Sequence, residues 1–284
     1  MEISAEQVRE LREKSGAGLM DCKRALQETG GDLEKAHENL RKSGVIKAAK
    51  KAGRATLEGL IGEAHNEDYT AAALVEVNCE TDFVARTDQF QKWVTDLAQL
   101  ALHKQPGNLE SFLTEKLPSG ETVSGTLTTL IAKLGENMEI RRVAVVKAAA
   151  GEKVASYLHM GSKIGALLRV KGGIDVTLLR EIAMHIAALQ PRYLDRAQVP
   201  SAVLEKEREI LKSQPDMAGK PAQLLDKIVE GKINRFYSEA CLTEQPFIKD
   251  ATGKKTVAAV LKERDAAAQV IEMVRFQVGG ELHG

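Results

Sequence analysis

The chain has 284 residues, and its 43% hydrophobic and 28% charged side chains are typical of folded globular proteins, which excludes a disordered or fibrous protein. Its length favours two or more domains over a single compact core. The 40 basic and 40 acidic side chains balance, so net charge gives no reason to expect binding to nucleic acid or to an anionic membrane.

Residues 1–53 predict a compact bundle of three short helices separated by glycines. Ser4 and Gln7 have the spacing of a capping box, which begins the first helix. Asp32 is a typical N-terminal cap for the third helix. We expect that helix to close at Gly44, because glycine commonly follows the last turn of a helix.

The segment VIKAAKKAGR at 45–54 carries four basic side chains, at Lys47, Lys50, Lys51 and Arg54. These side chains could contact RNA phosphates. The alternative is a solvated helix that leads into a linker. We favour the alternative because no aromatic residue lies between the charges to stack on a base.

Residues 54–195 predict an α+β core made of two similar halves, each a β-hairpin followed by an amphipathic helix. The first hairpin turns at 66–68 and leads to a helix that starts near residue 87. The second hairpin turns at Gly161 and leads to a helix that starts near Asp175. Hairpins imply antiparallel sheets, because two strands joined by a short turn pair antiparallel.

Residues 196–240 predict an inserted helical hairpin. Two long helical patterns flank the breaker QPDMAGKP at 214–221, and two helices joined by a short breaker pack antiparallel. An isolated helical hairpin buries little surface, so we expect its outer face to dock on another surface. Residues 241–284 then predict a helix and a strand that return to the core sheet.

Cys22, Cys79 and Cys241 are scattered and form no CxxC pair, which fits a reducing cytoplasm and argues against a disulfide scaffold. The N-terminus is amphipathic but charged within its first turns, so it is not a secretory signal. No apolar run approaches the about 18 residues that a membrane-spanning helix needs. We therefore expect a cytoplasmic protein without a membrane span.

The sequence lacks the patterns that accompany common enzyme sites. It has no GxxxxGK[ST] phosphate loop, no GxGxxG and no HExxH, and its six histidines are dispersed. We expect no cofactor, no metal ion and no catalytic residue. A nucleophile at Cys79 paired with a histidine stays open, although no motif surrounds this cysteine and burial at a strand end is favoured.

The stretch EVNCETDFVAR at 76–86 joins an apolar strand to a helix. Loops at such junctions carry binding residues on a rigid support. Thr81 or Asp82 is a natural cap for the helix. Phe83 is a core aromatic, a hydrophobic contact at the helix start, or a wedge that enters an apolar pocket of a partner. At the second hairpin turn, His159 is either a contact residue or an exposed turn residue.

Two long motifs resemble those of bacterial elongation factor Ts, the guanine-nucleotide exchange factor for elongation factor Tu. They are EVNCETDFVAR at 76–86 and LREKSGAGLMDCKRAL at 11–26, in which Ser15 stands where threonine is common. Shorter segments match in the same order, among them RKSGVIKAAKKAGR, GENMEIRRVA, SYLHMGSKIG and LTEQPF. The resemblance covers nearly the whole chain.

The resemblance implies a translation elongation factor that binds elongation factor Tu, both GDP-bound and nucleotide-free, and promotes GDP release so that GTP can load. Residues 1–53 would be a ubiquitin-associated-like module on the G domain of Tu, and the core would contact the G domain and a β-barrel domain. The hairpin at 196–240 would be a coiled-coil or dimerisation module, which makes a homodimer a candidate assembly. The resemblance implies no covalent chemistry, no membrane and no direct nucleic acid.

The resemblance also implies contact residues for Tu. The loop that would push into the G domain and disturb the magnesium and phosphate site is formed by Thr81, Asp82, Phe83 and Val84. Phe83 would be the apolar wedge. In the N-terminal module the contact positions would be Arg12, Leu19 and Met20, of which the last two could equally form the bundle core. At the core turn they would be His159, Met160 and Gly161.

Members of this family often continue beyond the last strand with a helical C-terminal module that adds a contact to Tu. This sequence stops at VGGELHG. The resemblance therefore implies that this contact is missing or reduced, which would weaken affinity for Tu rather than the exchange step itself.

Two other classes of function stay open beside an exchange factor. One is an RNA-binding or ribosome-associated protein that uses the basic segment 41–54. Its binding would fall steeply with salt, whereas binding through an apolar wedge would not. The other is a cysteine-dependent enzyme, whose activity a Cys79→Ala change would abolish.

Overall fold

The structure is a computed structural model that describes residues 3–215 and 220–281. It divides into two compact units. One unit consists of residues 3–62, 74–144 and 277–281, and the other of residues 63–73, 145–215 and 220–276. Across the described ranges, no helix combines the length and the apolar character needed to cross a membrane.

Three helices form the N-terminal bundle: α1 is Ala5–Ser15, α2 is Leu19–Glu28 and α3 is Leu33–Ala49. The predicted capping box is confirmed. The Ser4 hydroxyl accepts a hydrogen bond from the Gln7 N–H, and the Gln7 side chain accepts one from the Ser4 N–H. The helices close over an apolar core whose buried members are Val8, Leu11, Cys22, Ala25, Leu26 and Ala36.

The prediction that the third helix closes at Gly44 is wrong. α3 continues through Gly44 to Ala49. Gly44 is buried, and a Cβ placed on it would lie 3.6 Å from the Cβ of Ala132, which belongs to a later helix. Gly44 is therefore an interior residue of α3 that faces a neighbouring helix rather than a helix end, and a methyl group there would make an ordinary van der Waals contact.

The first sheet has three antiparallel strands in the order β1-β2-β3. The strands are β1, Glu58–His65; β2, Ala71–Cys79; and β3, Met138–Lys147. Every residue of β2 is buried, so both faces of this central strand are covered. Four helices connect β2 to β3: α4, Asp82–Ala85; α5, Asp88–Lys104; α6, Leu109–Thr114; and α7, Val123–Leu134.

The second sheet has the order β4-β5-β6, with β4 at Glu152–Leu158, β5 at Ile164–Lys171 and β6 at Gln269–Gln277. β4 and β5 pair antiparallel. Helix α8, Val176–Leu189, follows β5. Its buried face packs into the core of this sheet through Leu178, Leu179, Ile182, Ala183, Ile186 and Ala187.

Helices α9, Ser201–Lys212, and α10, Ala222–Ala240, form the predicted helical hairpin. The hairpin has its own small core, in which Leu211, Val229 and Ile233 pack together. The middle of the predicted breaker, 216–219, lies outside the described residues. Helix α11, Val257–Arg264, then precedes β6, which lies beside β5, so the C-terminal part of the chain returns to a core sheet as predicted.

The predicted fold class is confirmed: the protein is α+β, with an N-terminal group of helices and two antiparallel three-stranded sheets. Each sheet contains a hairpin that is followed in the chain by helices. The domain boundaries expected from the sequence, at residues 53, 195 and 240, stay a prediction.

Candidate functional site

Phe83 projects from the junction at which β2 ends. Thr81 caps α4, since its hydroxyl accepts a hydrogen bond from the Val84 N–H at 3.4 Å, and Phe83 is the second residue of this short helix. Phe83 is 79% exposed. It is therefore not a core aromatic, and the structure leaves a large apolar side chain in water beside a capped helix end.

A carboxylate from a distant part of the chain holds Thr81. Glu136, which follows α7, accepts a hydrogen bond from the Thr81 N–H at 3.0 Å and another from the Thr81 hydroxyl at 2.5 Å. The two bonds use the two oxygens of one carboxylate. Such a two-point contact fixes orientation as well as position, and hydrogen bonds to an ionised acceptor are stronger than neutral ones.

The segment before Thr81 is held in the same way. The Glu80 carboxylate accepts a hydrogen bond from the Asn137 N–H at 2.5 Å. The Asn137 side chain in turn donates to the Arg54 carbonyl at 2.8 Å, and the Arg54 guanidinium lies 3.5 Å from the Glu80 carboxylate. One network of polar contacts therefore connects the start of the loop that carries Phe83 with the turn after α7 and the linker after α3.

Val84 and Cys79 face the interior on either side of Phe83. Val84 is 8% exposed and Cys79 is fully buried. The Cys79 thiol donates to the Thr81 carbonyl at 3.1 Å, so it holds the loop from the buried side. Because a nucleophilic cysteine needs access to its substrate, this geometry gives no support to a catalytic Cys79.

Asp82 lies at the surface next to Phe83. Its carboxylate is 2.8 Å from the Arg86 guanidinium, one helical turn away. Both side chains are exposed to solvent, and an exposed ion pair of this kind contributes little to stability. Asp82 can therefore leave Arg86 and pair with another cation at little cost in free energy.

Arg12, Leu19 and Met20 lie on the surface of the N-terminal bundle. Leu19 is 54% exposed and Met20 is 69% exposed, so neither belongs to the bundle core. They begin α2, directly after the turn in which the Gly16 N–H donates to the Arg12 carbonyl. The bundle thus presents two adjacent apolar side chains and an exposed arginine.

His159, Met160 and Gly161 form the turn between β4 and β5, in the compact unit that does not contain Phe83. Met160 is 87% exposed, and His159 is also exposed. The Nδ1 atom of His159 lies 3.3 Å from the Tyr157 hydroxyl.

Two cations of the basic segment make contacts inside the protein. Lys47 donates to the Asp21 carboxylate at 3.0 Å, and this hydrogen bond holds the pKa of Asp21 below its usual range. The Lys51 ammonium donates to the Gly135 carbonyl. Such contacts favour a structural role for the segment over phosphate binding.

Residues capable of covalent or metal chemistry are dispersed. Within residues 3–215 and 220–281, no group of three or more His, Cys, Asp or Glu side chains could hold a metal ion. Burial raises the pKa of the Cys241 thiol to about 11, which keeps it protonated and unreactive near neutral pH.

Comparison with known proteins decides the family. A family model described as Elongation factor TS matches residues 80–280. The chain belongs to the elongation factor Ts family. The Elongation factor Ts of Thioalkalivibrio sulfidiphilus is 45% identical over 279 residues, and that of Methylococcus capsulatus is 47% identical over 279 residues. Each alignment covers 98% of this chain and 93% of the relative.

The family predicted from the sequence motifs is thus confirmed, but two residues of the site were missed. Glu136 and Asn137 hold the Phe83 loop from about 55 positions away and belong to no local pattern around it. The segment GENMEIRRVA, which contains both, matches an elongation factor Ts motif. That match was the signal that could have pointed to them.

Proposed function

We propose that this chain binds elongation factor Tu and accelerates its release of GDP, with Phe83 as an apolar wedge. Family membership makes the chain a translation elongation factor. The observation that carries the finer proposal is the 79% exposure of Phe83 at a junction that two carboxylates and a buried thiol hold in place. A rigidly presented aromatic side chain loses little entropy on binding, which is typical of the anchor residues of interfaces.

The free-energy requirement on an exchange factor fits such a surface. A protein shifts the nucleotide equilibrium of its partner only by its differential affinity for the nucleotide-free and nucleotide-bound states, and the coupling is reciprocal. Bound GDP depends on Mg²⁺ and on backbone N–H groups around the phosphates. An inserted wedge that displaces those groups weakens GDP binding without making or breaking a covalent bond. The exchange therefore needs no acid, base or nucleophile from this chain.

Phe83, Asp82 and Thr81 form the contact side of the loop in this proposal, and Val84 supports it from the interior. The ubiquitin-associated-like N-terminal bundle adds a second surface through Arg12, Leu19 and Met20. The turn at His159, Met160 and Gly161 adds a third, on another part of Tu. Three separated contacts raise affinity for one partner more than any single contact does.

The helical hairpin is a candidate dimerisation module. Ile210 of α9 and Leu224 of α10 are each 47% exposed, and a second copy of the chain could cover them as in a coiled coil. Sedimentation equilibrium at several protein concentrations tests this proposal, and a single monomeric species throughout would reject it.

The exchange proposal is tested by the rate at which elongation factor Tu releases a fluorescent GDP analogue with and without this chain. We expect acceleration that saturates with the concentration of the chain and that changes little between low and moderate salt. Absence of acceleration at any concentration would reject the proposal. A steep loss with salt would instead indicate binding through phosphates, as expected of an RNA-binding protein.

A further inference from the structure

The loop that presents Phe83 and the turn that follows α7 exchange hydrogen bonds. Glu136 accepts from the N–H and hydroxyl of Thr81, and Glu80 accepts from the N–H of Asn137. Each segment thus offers a carboxylate to a backbone N–H of the other. All four residues belong to the same compact unit.

Glu136 acts on Phe83 through the cap of α4. The Thr81 hydroxyl has two roles, since it donates to Glu136 and accepts from the Val84 N–H. The Thr81 carbonyl also accepts from the Ala85 N–H at 3.4 Å. A helix of four residues has few hydrogen bonds of its own, so its position depends on the cap. Phe83 directly precedes the two amides that Thr81 holds, those of Val84 and Ala85.

We propose that Glu136 is a positioning residue for the Phe83 wedge. By holding the N–H and the hydroxyl of Thr81, it keeps the wedge ordered in the free protein, before the partner binds. The expected effect on GDP release rests on the proposed function, whereas the ordering of the loop by Glu136 does not. Without Glu136 the loop samples other conformations, and the fraction of chains that are ready to bind falls. The apparent affinity then falls by the same fraction, whereas the rate within the complex is preserved.

The same contacts link the loop to the N-terminal bundle. Lys51, two residues beyond the end of α3, donates to the Gly135 carbonyl, and the Asn137 side chain donates to the Arg54 carbonyl. The turn at 135–137 therefore touches the linker on one side and the Phe83 loop on the other. It is placed to keep the two proposed contact surfaces for Tu in a fixed relation.

The first test is local and needs no partner. Hydrogen exchange of the backbone amides in residues 80–86 is measured in the full-length chain and in Glu136→Gln, with Glu139→Gln as the matched control. Glu139 is exposed and its carboxylate lies 4.0 Å from the Arg141 guanidinium. We expect about tenfold faster exchange in Glu136→Gln, the size expected for a lost charge-assisted hydrogen bond, and no change in the control. Unchanged exchange in Glu136→Gln would overturn the proposal.

The second test asks whether the substitution weakens binding to the partner or slows GDP release within the complex. GDP release from elongation factor Tu is measured over a range of concentrations of each variant. For Glu136→Gln we expect the half-maximal concentration to rise about tenfold with the maximal rate nearly unchanged. A lower maximal rate at an unchanged half-maximal concentration would overturn the proposal.

The double variant Thr81→Val with Glu136→Gln identifies the route of the effect. Because Glu136 acts through Thr81, we expect the combined loss to be smaller than the product of the two single losses. Independent, multiplicative losses would contradict this route. If the unaltered chain does not accelerate GDP release, the proposed function fails, and the hydrogen-exchange result alone decides the role of Glu136.

Discussion

His185 is a fully buried histidine at the core of the second sheet. The Ile248 N–H donates to its Nδ1 atom at 3.2 Å, so Nδ1 carries no proton. The proton is on Nε2, which donates to the Gln245 side-chain oxygen at 2.9 Å. The Gln245 amide donates to the carbonyls of Leu189 and Glu239, which fixes its orientation. The site is therefore built for neutral histidine.

We predict that this site makes the protein less stable in acid. Burial lowers the pKa of His185 below its ordinary value of 6.5. Below that pH the unfolded chain takes up a proton at this residue while the folded chain does not. The free energy of unfolding therefore falls with falling pH, by at most about 1.4 kcal/mol per pH unit from this group. The loss begins below pH 6.5 and ends when the pH falls through the lowered folded pKa.

Urea denaturation at several pH values between neutral and mildly acidic measures this effect. In a His185→Gln variant, the free energy of unfolding should depend less steeply on pH, by the contribution of one proton. A His103→Gln variant serves as the control, because His103 is exposed. Equal slopes in all three proteins would contradict the assignment.

The sequence predicts some features of single residues and not others. The cap at Thr81 follows from a local pattern, because a threonine before a helix satisfies its first amides. The exposure of Phe83 does not, because a core aromatic and an exposed wedge fit the same pattern. Glu136 could not be assigned from the residues around Thr81, since a hydrogen bond between positions 55 apart depends on the tertiary fold.

Two glycines show how elements are fitted together. Gly44 faces α7 across a gap that a methyl group would fill, since its Cβ would lie 3.6 Å from the Ala132 Cβ. Gly62 of β1 has no such room, because its Cβ would lie 2.6 Å from the Val94 carbonyl oxygen of α5. The same residue type therefore marks a contact that tolerates a side chain and one that does not.

We predict opposite effects of alanine at these two glycines. Gly44→Ala should raise the free energy of unfolding by about 0.5–1 kcal/mol, because glycine costs that much in a helix interior. Gly62→Ala should lower it by about 1–3 kcal/mol, because the strand must move away from α5. Urea denaturation of both variants measures the difference. A destabilised Gly44→Ala would show that α3 and α7 are closer than described.

At the scale of elements, the sequence predicted helix starts from their caps but misplaced the end of α3. Caps such as Ser4 and Asp32 act within one turn, so their effect is visible in the local sequence. The end of α3 was misplaced because the meaning of Gly44 depends on Ala132, 88 positions further along. A glycine that closes a helix and one inside a helix that faces a neighbouring helix look alike in sequence.

At the scale of the whole molecule, the repeated hairpin-then-helix pattern was sufficient to predict two α+β halves, and both sheets are present. The arrangement of strands and helices can be predicted from hydrophobic periodicity, because the periodicity indicates which face of each element is buried. The assignment to elongation factor Ts required long motifs as well, since one fold can carry many functions. The partner surfaces stay proposals at this scale.

The measurement that tests the central claim most directly compares Phe83→Ala with Leu57→Ala in the GDP-release assay. The two residues are 79% and 75% exposed, so both substitutions remove an exposed apolar side chain and should leave the fold intact. We predict that Phe83→Ala loses about 30-fold of the acceleration, equivalent to about 2 kcal/mol for an anchor residue, and that Leu57→Ala retains it. Full acceleration by a folded Phe83→Ala protein would contradict the account.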